Sequence, residues 1–204
     1  MTSYTRILSF IKKHEGNFTY MYLDTRGNVT VGVGYLLSTA SMTMALSSSF
    51  SVRSSLEAKK KKSADEAFKK DPKQAVTDEF KAVGALSKGR LPSYYKTNTT
   101  LDLAQSKVDA LLKLEVVAAE KSVKGIFEAF DTFPEPAQVA IIDMAYNLGT
   151  AGFKQYETLI SDLKKKDWAT AATHCKRTGP SQSRNDETKA LFEEAQKDSI
   201  VGAK

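Results

Sequence analysis

The chain has 204 residues, 41% hydrophobic and 26% charged, with a formal net charge of +6. This is globular composition and excludes extensive disorder; no apolar run approaches the ~20 residues of a membrane span, and stable membrane insertion is not expected. The positive balance favours a polyanionic surrounding, but no nucleic-acid module is present, nor are aromatics interleaved with the basic residues, so nucleic acid is not the expected partner. Cys175 is the single cysteine, so no internal disulfide can form and the residue reads as small packing. The two histidines, His14 and His174, make no cluster with metal-ligand spacing, and neither a metal nor another cofactor is expected.

In chain order, Ile7, Leu8 and Ile11 recur at helical spacing and Gly16 supplies a stop, which puts Glu15 at a helix exit and His14 partly exposed beside it. Tyr20–Leu23 reads as a strand and Asp24-Thr-Arg-Gly-Asn28 as a turn. A second, strictly alternating strand then points Val29, Val31 and Val33 one way and Thr30, Gly32 and Gly34 the other. The second face is a poor core and a good floor for a closely approaching substrate. The hairpin can fold Asp24 and Thr30 back toward Glu15, lining one cleft with an acid, a carboxylate and a hydroxyl. Glycosidic hydrolysis needs such a set: one carboxyl protonates the leaving oxygen, the other activates water, and a polar group places that water.

Residues 38–53 are Ser-, Thr- and Met-rich with no clean period, and Lys59–Lys62 reads as a solvated face. Ser63-Ala-Asp-Glu66 has capping-box spacing and Asp71-Pro72 opens a second short helix carried by Val76, Phe80, Val83 and Leu86. The stretch from Lys88 to Thr100 reads as a loop, with Tyr94 and Tyr95 packed under it or stacking on sugar. A threonine cap at Thr99-Thr100 then opens a long helix whose apolar stripe includes Ala104, Val108, Leu111, Leu112, Ala119, Val123 and Ile126. Gln138–Leu148 is nearly all apolar and reads as a buried helix closed by Gly149. Trp168 reads as a core anchor.

The strings H-E-G at 14–16 and Y-L-D-T-R-G-N-V-T-V-G-V-G-Y-L-L at 22–37 resemble the active-site segment of the phage-type lysozymes (endolysins, N-acetylmuramidases). M-A-Y-N-L-G followed by G-F, and R-N-D-E-T-K-A-L-F near the C-terminus, resemble later segments of that family. The resemblance implies an α+β, mostly α fold: a small lobe with a β-hairpin, a long connecting helix and a helical C-terminal lobe. It makes residues 1–204 one catalytic domain, with a cleft lobe over about 14–100 and a helical lobe over about 101–204 plus the first helix. Segment 38–98 looks long for the family and reads as a peripheral addition.

The implied activity is hydrolysis of the β-1,4 bond between N-acetylmuramic acid and N-acetylglucosamine in peptidoglycan glycan strands. Glu15 would be the general acid, Asp24 the base or electrostatic partner, and Thr30 the residue that positions water. Gly32, Gly34, Asn147 and Arg184 would face the substrate. For Asn147, a plain helix cap is an equal alternative. In the family, an arginine opening the last helix reaches the catalytic glutamate, and Arg184 falls there; the bland alternative is a surface arginine pairing with Asp186 or Glu187. Two departures from the family pattern are Asn185, where a second arginine is common, and Tyr35, where histidine is.

A lytic transglycosylase needs no water-activating carboxylate, and a basic wall- or membrane-binding protein would not explain the acid, carboxylate and hydroxyl. The N-terminus, Met-Thr-Ser-Tyr-Thr-Arg, has no signal-peptide core. The expectation is therefore a monomer made in the cytoplasm and acting on the periplasm or cell wall, either as a phage endolysin or as a delivered antibacterial toxin. A toxin would bring in a cognate inhibitor or immunity protein.

Overall fold

In the computed structural model, which describes residues 4–201, the first helix is α1 (Tyr4–Glu15). Residues 1–3, part of the stretch on which the signal-peptide expectation rests, lie outside the described residues. The chain continues as β1 (Phe18–Leu23), β2 (Val29–Gly32), β3 (Tyr35–Leu36), α2 (Ala40–Ala45), β4 (Phe50–Val52), α3 (Ala58–Lys70), α4 (Pro72–Gly84), α5 (Pro92–Asn98) and β5 (Leu101–Leu103). It ends with α6 (Gln105–Lys124), α7 (Glu135–Lys154), α8 (Glu157–Lys164), α9 (Trp168–His174) and α10 (Gln182–Val201). Helix accounts for 66% and strand for 9%, the expected α+β, mostly α fold. Two compact units divide the chain: Glu15–Leu112, and the residues up to His14 together with those from Lys113 onward.

In the Glu15–Leu112 unit, β1, β2 and β3 form one antiparallel sheet in that order. The strand expected to run through Gly34 ends at Gly32. Gly32 (φ 72°) and Gly34 (φ 85°) carry the chain around a turn into β3, so the simple hairpin is a three-stranded sheet. Nor is the Thr30/Gly32 face open. Both residues are buried, and a Cβ on Gly32 would meet Val108 Cγ1 at 3.0 Å, so the glycine admits the helix side chain.

Segment 38–98 is no loose addition, because it supplies much of this unit's core. Leu46, Phe50, Val76, Val83 and Tyr95 are all buried, and β4 pairs antiparallel with β5 through Phe50↔Leu103 and Val52↔Leu101. Alternating, half-buried residues too short for a visible period explain why this stretch reads as loose. The expected loop contains α5, which Pro92 starts and which buries Tyr95, whose hydroxyl donates to Ser87 O at 2.9 Å. Thr99 and Thr100 cap no helix; they lead into β5, and α6 begins four residues later than expected.

α3 starts at Ala58, so Ser63 lies in its interior instead of capping it. Asp71 does cap α4, accepting from Gln74 N at 3.0 Å ahead of Pro72. α3 buries none of its residues, and Lys59, Lys60 and Lys62 are exposed, the solvated face expected of the lysine run.

A buried polar network ties α4 to β4 and β5. Glu79 accepts from Thr100 N (2.6 Å), Thr100 Oγ1 (2.8 Å) and Leu101 N (3.1 Å). Burial pushes its carboxyl up, opposed by those donors and by the Arg53 charge. Arg53, 6% exposed, donates to Asp102 and to the carbonyls of Lys96, Thr99 and Leu101. Glu79→Ala strands two backbone N–H groups in the interior, and the expected loss is about 2–4 kcal/mol in urea unfolding. A loss under half a kilocalorie would show that water reaches these groups.

In the second unit, α7 is the apolar centre, with Ala137 to Ala145 buried throughout. Gly149 (φ 69°) breaks its helical backbone where the glycine cap is expected. Trp168 is 1% exposed, edge-on to Phe133 at 5.1 Å, and Cys175 is buried, as expected of core residues. α1 docks by its polar flank. Tyr4 donates to Glu120, Arg6 to both Glu194 oxygens (3.0 and 2.6 Å), and Lys13 to Glu187 (2.8 Å). His14 is half-buried near the helix end, as anticipated, its side chain 6% exposed and its Nε2 3.2 Å from Glu187 Oε2. Its ring tilts over Phe10 at 4.8 Å.

Candidate active site

Glu15 is the last residue of α1, and Gly16 (φ 82°) turns the chain out of the helix into β1. A Cβ on Gly16 would strike the Phe18 ring at 2.8 Å, so both the turn and the packing demand glycine. Glu15, Asp24, Thr30, Gly32 and Gly34 all belong to the Glu15–Leu112 unit.

Asp24 follows β1 directly and is held by its own turn. Its Oδ1 accepts from Arg26 N (2.9 Å) and Asn28 N (2.8 Å), and its Oδ2 from Asn28 Nδ2 (3.0 Å). Burial by itself would push this carboxyl up. The donors from Asn28, Arg26 and Gly27 outweigh it and hold the carboxyl below the ordinary range, so Asp24 is ionised at neutral pH, as expected of a carboxylate in a turn. The backbone closes the same loop, with Asp24 N donating to Asn28 O and Gly27 N to Asp24 O, both at 3.0 Å.

Thr30, 2% exposed, donates its hydroxyl proton to Asn28 O at 3.0 Å. Its oxygen is therefore oriented as an acceptor, the polarity needed to hold a water by one of that water's protons. Asn28 thus binds Asp24 and Thr30 into one rigid piece through three different atoms. Sequence reading took Asn28 only as a turn residue, although an Asp four positions before an Asn is the signal of a side-chain-stapled turn.

Tyr22 was likewise passed over. It stands directly opposite Thr30 in the β1–β2 register, and its ring meets Phe18 edge-on at 5.2 Å. Its hydroxyl oxygen receives the Gly34 N–H and lies in the field of both Glu15 and Asp24. Burial first, then those two carboxylates, push the phenol up to about 12, so it is neutral and a donor at every working pH. Gly34, expected to face substrate, thereby supplies the N–H that orients this hydroxyl.

Asn147 and Arg184 belong to the other unit. Asn147 is half-buried, two residues ahead of the α7 break at Gly149. Arg184, in the first turn of α10, is 3% exposed and not the surface arginine of the bland alternative. Its Nη2 donates to Asp143 Oδ1 at 2.7 Å, while Arg177 Nη1 lies 2.9 Å from Asp143 Oδ2. Ser181 caps the helix by accepting from Arg184 N at 3.2 Å. Asn185, the departure from the family pattern, accepts from Arg177 N and donates to Arg177 O, both at 3.0 Å, and so carries no charge into this cluster. Asp143 and Arg177 went unnoticed in the sequence because both lie inside otherwise unremarkable stretches. A lone aspartate in an apolar helix is, however, a signal that a buried cation must face it.

Among the described residues no group of His, Cys, Asp and Glu could hold a metal ion, and no helix is long and apolar enough to cross a membrane. A family model described as phage lysozyme matches residues 81–192, more than half of the chain. The matched stretch contains Asn147 and Arg184 and begins beyond Glu15, Asp24 and Thr30. No curated protein matches the chain.

Proposed function

Because the chain belongs to the phage lysozyme family and is by that membership a peptidoglycan hydrolase, we propose that it is an inverting muramidase. In this reading it cleaves the β-1,4 bond between N-acetylmuramic acid and N-acetylglucosamine with Glu15 as acid. Asp24 activates water, and Thr30 holds that water. Of the two biological roles, the family match favours an endolysin.

The observation that carries the reading is the state of Asp24. Three hydrogen bonds from its own turn keep it charged and occupy both oxygens. The turn holds this carboxylate charged and in place, and Thr30 beside it presents an acceptor for water. That favours inversion, in which the two carboxyls stand roughly 6.5–9.5 Å apart to admit water, over the covalent route of a retaining enzyme. Gly34 and Asn147 enter the proposal as backbone and amide contacts to the glycan.

Proton NMR of a fresh digest, read before mutarotation, tests the stereochemistry. The expected first product is the α-anomer at the new muramic acid end. A β-anomer first would mean retention, and an anhydro-muramyl product would mean transglycosylation. No reducing ends at all would leave a basic wall-binding protein.

A further inference from the structure

We propose that α3 is a docking surface for an anionic polymer, and that its partner is the carboxylate-bearing peptide stems of insoluble peptidoglycan. The inference rests on the chain being a peptidoglycan hydrolase, not on the roles given to Glu15 and Asp24. The family match begins at residue 81, so it does not account for this helix. Six lysines and two carboxylates give α3 a net +4, two-thirds of the +6 carried by the whole chain. None of its residues is buried.

The lysines are sorted around the helix. Lys60 donates to Thr97 O at 2.8 Å, and Lys61 pairs with Asp65 at 2.6 Å. Those two, with the half-buried Ala64 and Phe68, mark the side that packs on α4 and β4. Lys59, Lys62, Lys69 and Lys70 fall, at about 100° per residue, within an arc of about 100° on the opposite side. The stripe they form runs about 16 Å along the helix. All four are exposed, and among the described residues none is in an ion pair. Ser63 and Glu66 lie between them, so the face keeps a net +3 and presents no apolar side chain. Such a face has nothing to insert into lipid hydrocarbon, whereas it can pair with charged groups along an extended polymer. Lys59 and Lys62, three residues apart, repel each other, and a bound polyanion relieves that repulsion. Peptidoglycan, the polymer this family hydrolyses, carries free carboxylates on its peptide stems and is complementary in sign. Docking on them holds the enzyme at an insoluble substrate between cleavages.

Co-sedimentation with intact peptidoglycan sacculi in the cold tests this, with a fourfold variant carrying Lys59→Gln, Lys62→Gln, Lys69→Gln and Lys70→Gln. Glutamine matches lysine in helix propensity, so Tm should stay within a few degrees of the parent. A second fourfold exchange, Lys121→Gln, Lys154→Gln, Lys176→Gln and Lys197→Gln, removes the same charge from exposed positions elsewhere. At low salt the α3 variant should bind sacculi about tenfold more weakly than the parent, the worth of four exposed ion pairs. The second variant should stay within about threefold. The α3 deficit should close in roughly 0.5 M salt and vanish on sacculi whose stems an amidase has removed. Both variants should cleave short soluble glycan fragments at the parental rate. Equal loss of binding in the two variants would mean that net charge alone acts, and unchanged binding would leave a solvated face; either overturns the proposal. So does a deficit that survives removal of the stems, one seen on anionic lipid vesicles and not on sacculi, or an equal loss on soluble fragments. If the α3 variant does not fold, Lys69→Gln with Lys70→Gln must still weaken binding about threefold, and no change there overturns the proposal as well. Binding needs no turnover, so a parent that docks through α3 yet cleaves nothing would sink the muramidase reading and leave this one standing.

Discussion

Glu15→Gln is expected to abolish lysis while leaving the protein folded. The exchange removes an ionisable proton donor and almost no volume, at a helix end where Gly16 and the Phe18 ring dictate the backbone path. General acid catalysis accounts for about a hundredfold or more of rate, and a leaving sugar oxygen that receives no proton departs slowly. Turbidity loss of a peptidoglycan suspension reads the effect, with thermal unfolding as the control for folding. Near-parental lysis at parental Tm would remove Glu15 from the mechanism, and the Asp24 and Thr30 roles with it. A variant that fails to fold would instead place Glu15 in the framework. The contrast with Asp24 is instructive, because Asp24→Asn would also disturb its turn, whose N–H groups of Arg26 and Asn28 point at a carboxylate. Glu15 is the cleaner test of chemistry.

The largest expected loss of stability follows Asp143→Ala. Asp143 is fully buried, and so is the Arg177 side chain beside it; Arg184 is 4% exposed at its side chain. Two guanidinium groups converge on one carboxylate, and among the described residues Arg177 Nε finds no acceptor. Removing the carboxylate leaves positive charge in the interior of the unit with its counter-ion gone. Breaking a buried pair in this way costs about 3–5 kcal/mol, and in a chain of this size that lowers Tm by roughly 6–20 °C. Asp143→Asn should lie between parent and alanine, because it keeps one oxygen acceptor for Arg184 Nη2. Calorimetry of the three proteins checks the order. A Tm change under 2 °C for the alanine variant would mean that the arginines swing out to water, contrary to their burial.

Much of the site is legible in the chain because it is local. Glu15, Gly16, Asp24, Gly27, Asn28 and Thr30 lie within sixteen residues, and each takes its place from helix termination, a stapled turn or strand pairing. Those are short-range rules, in which glycine backbone freedom and side-chain-to-backbone hydrogen bonds act over a few residues. The α7 core, the Trp168 anchor and the Asp71 cap were readable for the same reason: a long apolar period, or one capping residue, states its own role.

What the tertiary structure decided depends on residues distant in the chain. Gly32 belongs to Val108, not to an open floor, because a helix side chain seventy-odd positions later fills the space. The serine-rich segment is core because β4 pairs with β5, and a three-residue strand has no period to reveal until its partner arrives. Thr100 serves Glu79 instead of capping α6, and His14 meets Glu187 across more than 170 residues of chain. Short-range rules fix the local geometry of Glu15, of the stapled Asp24 and of Thr30. Tertiary packing decided which buried charges meet and which glycines admit neighbours, since burial and ion pairing between remote segments leave no short-range mark.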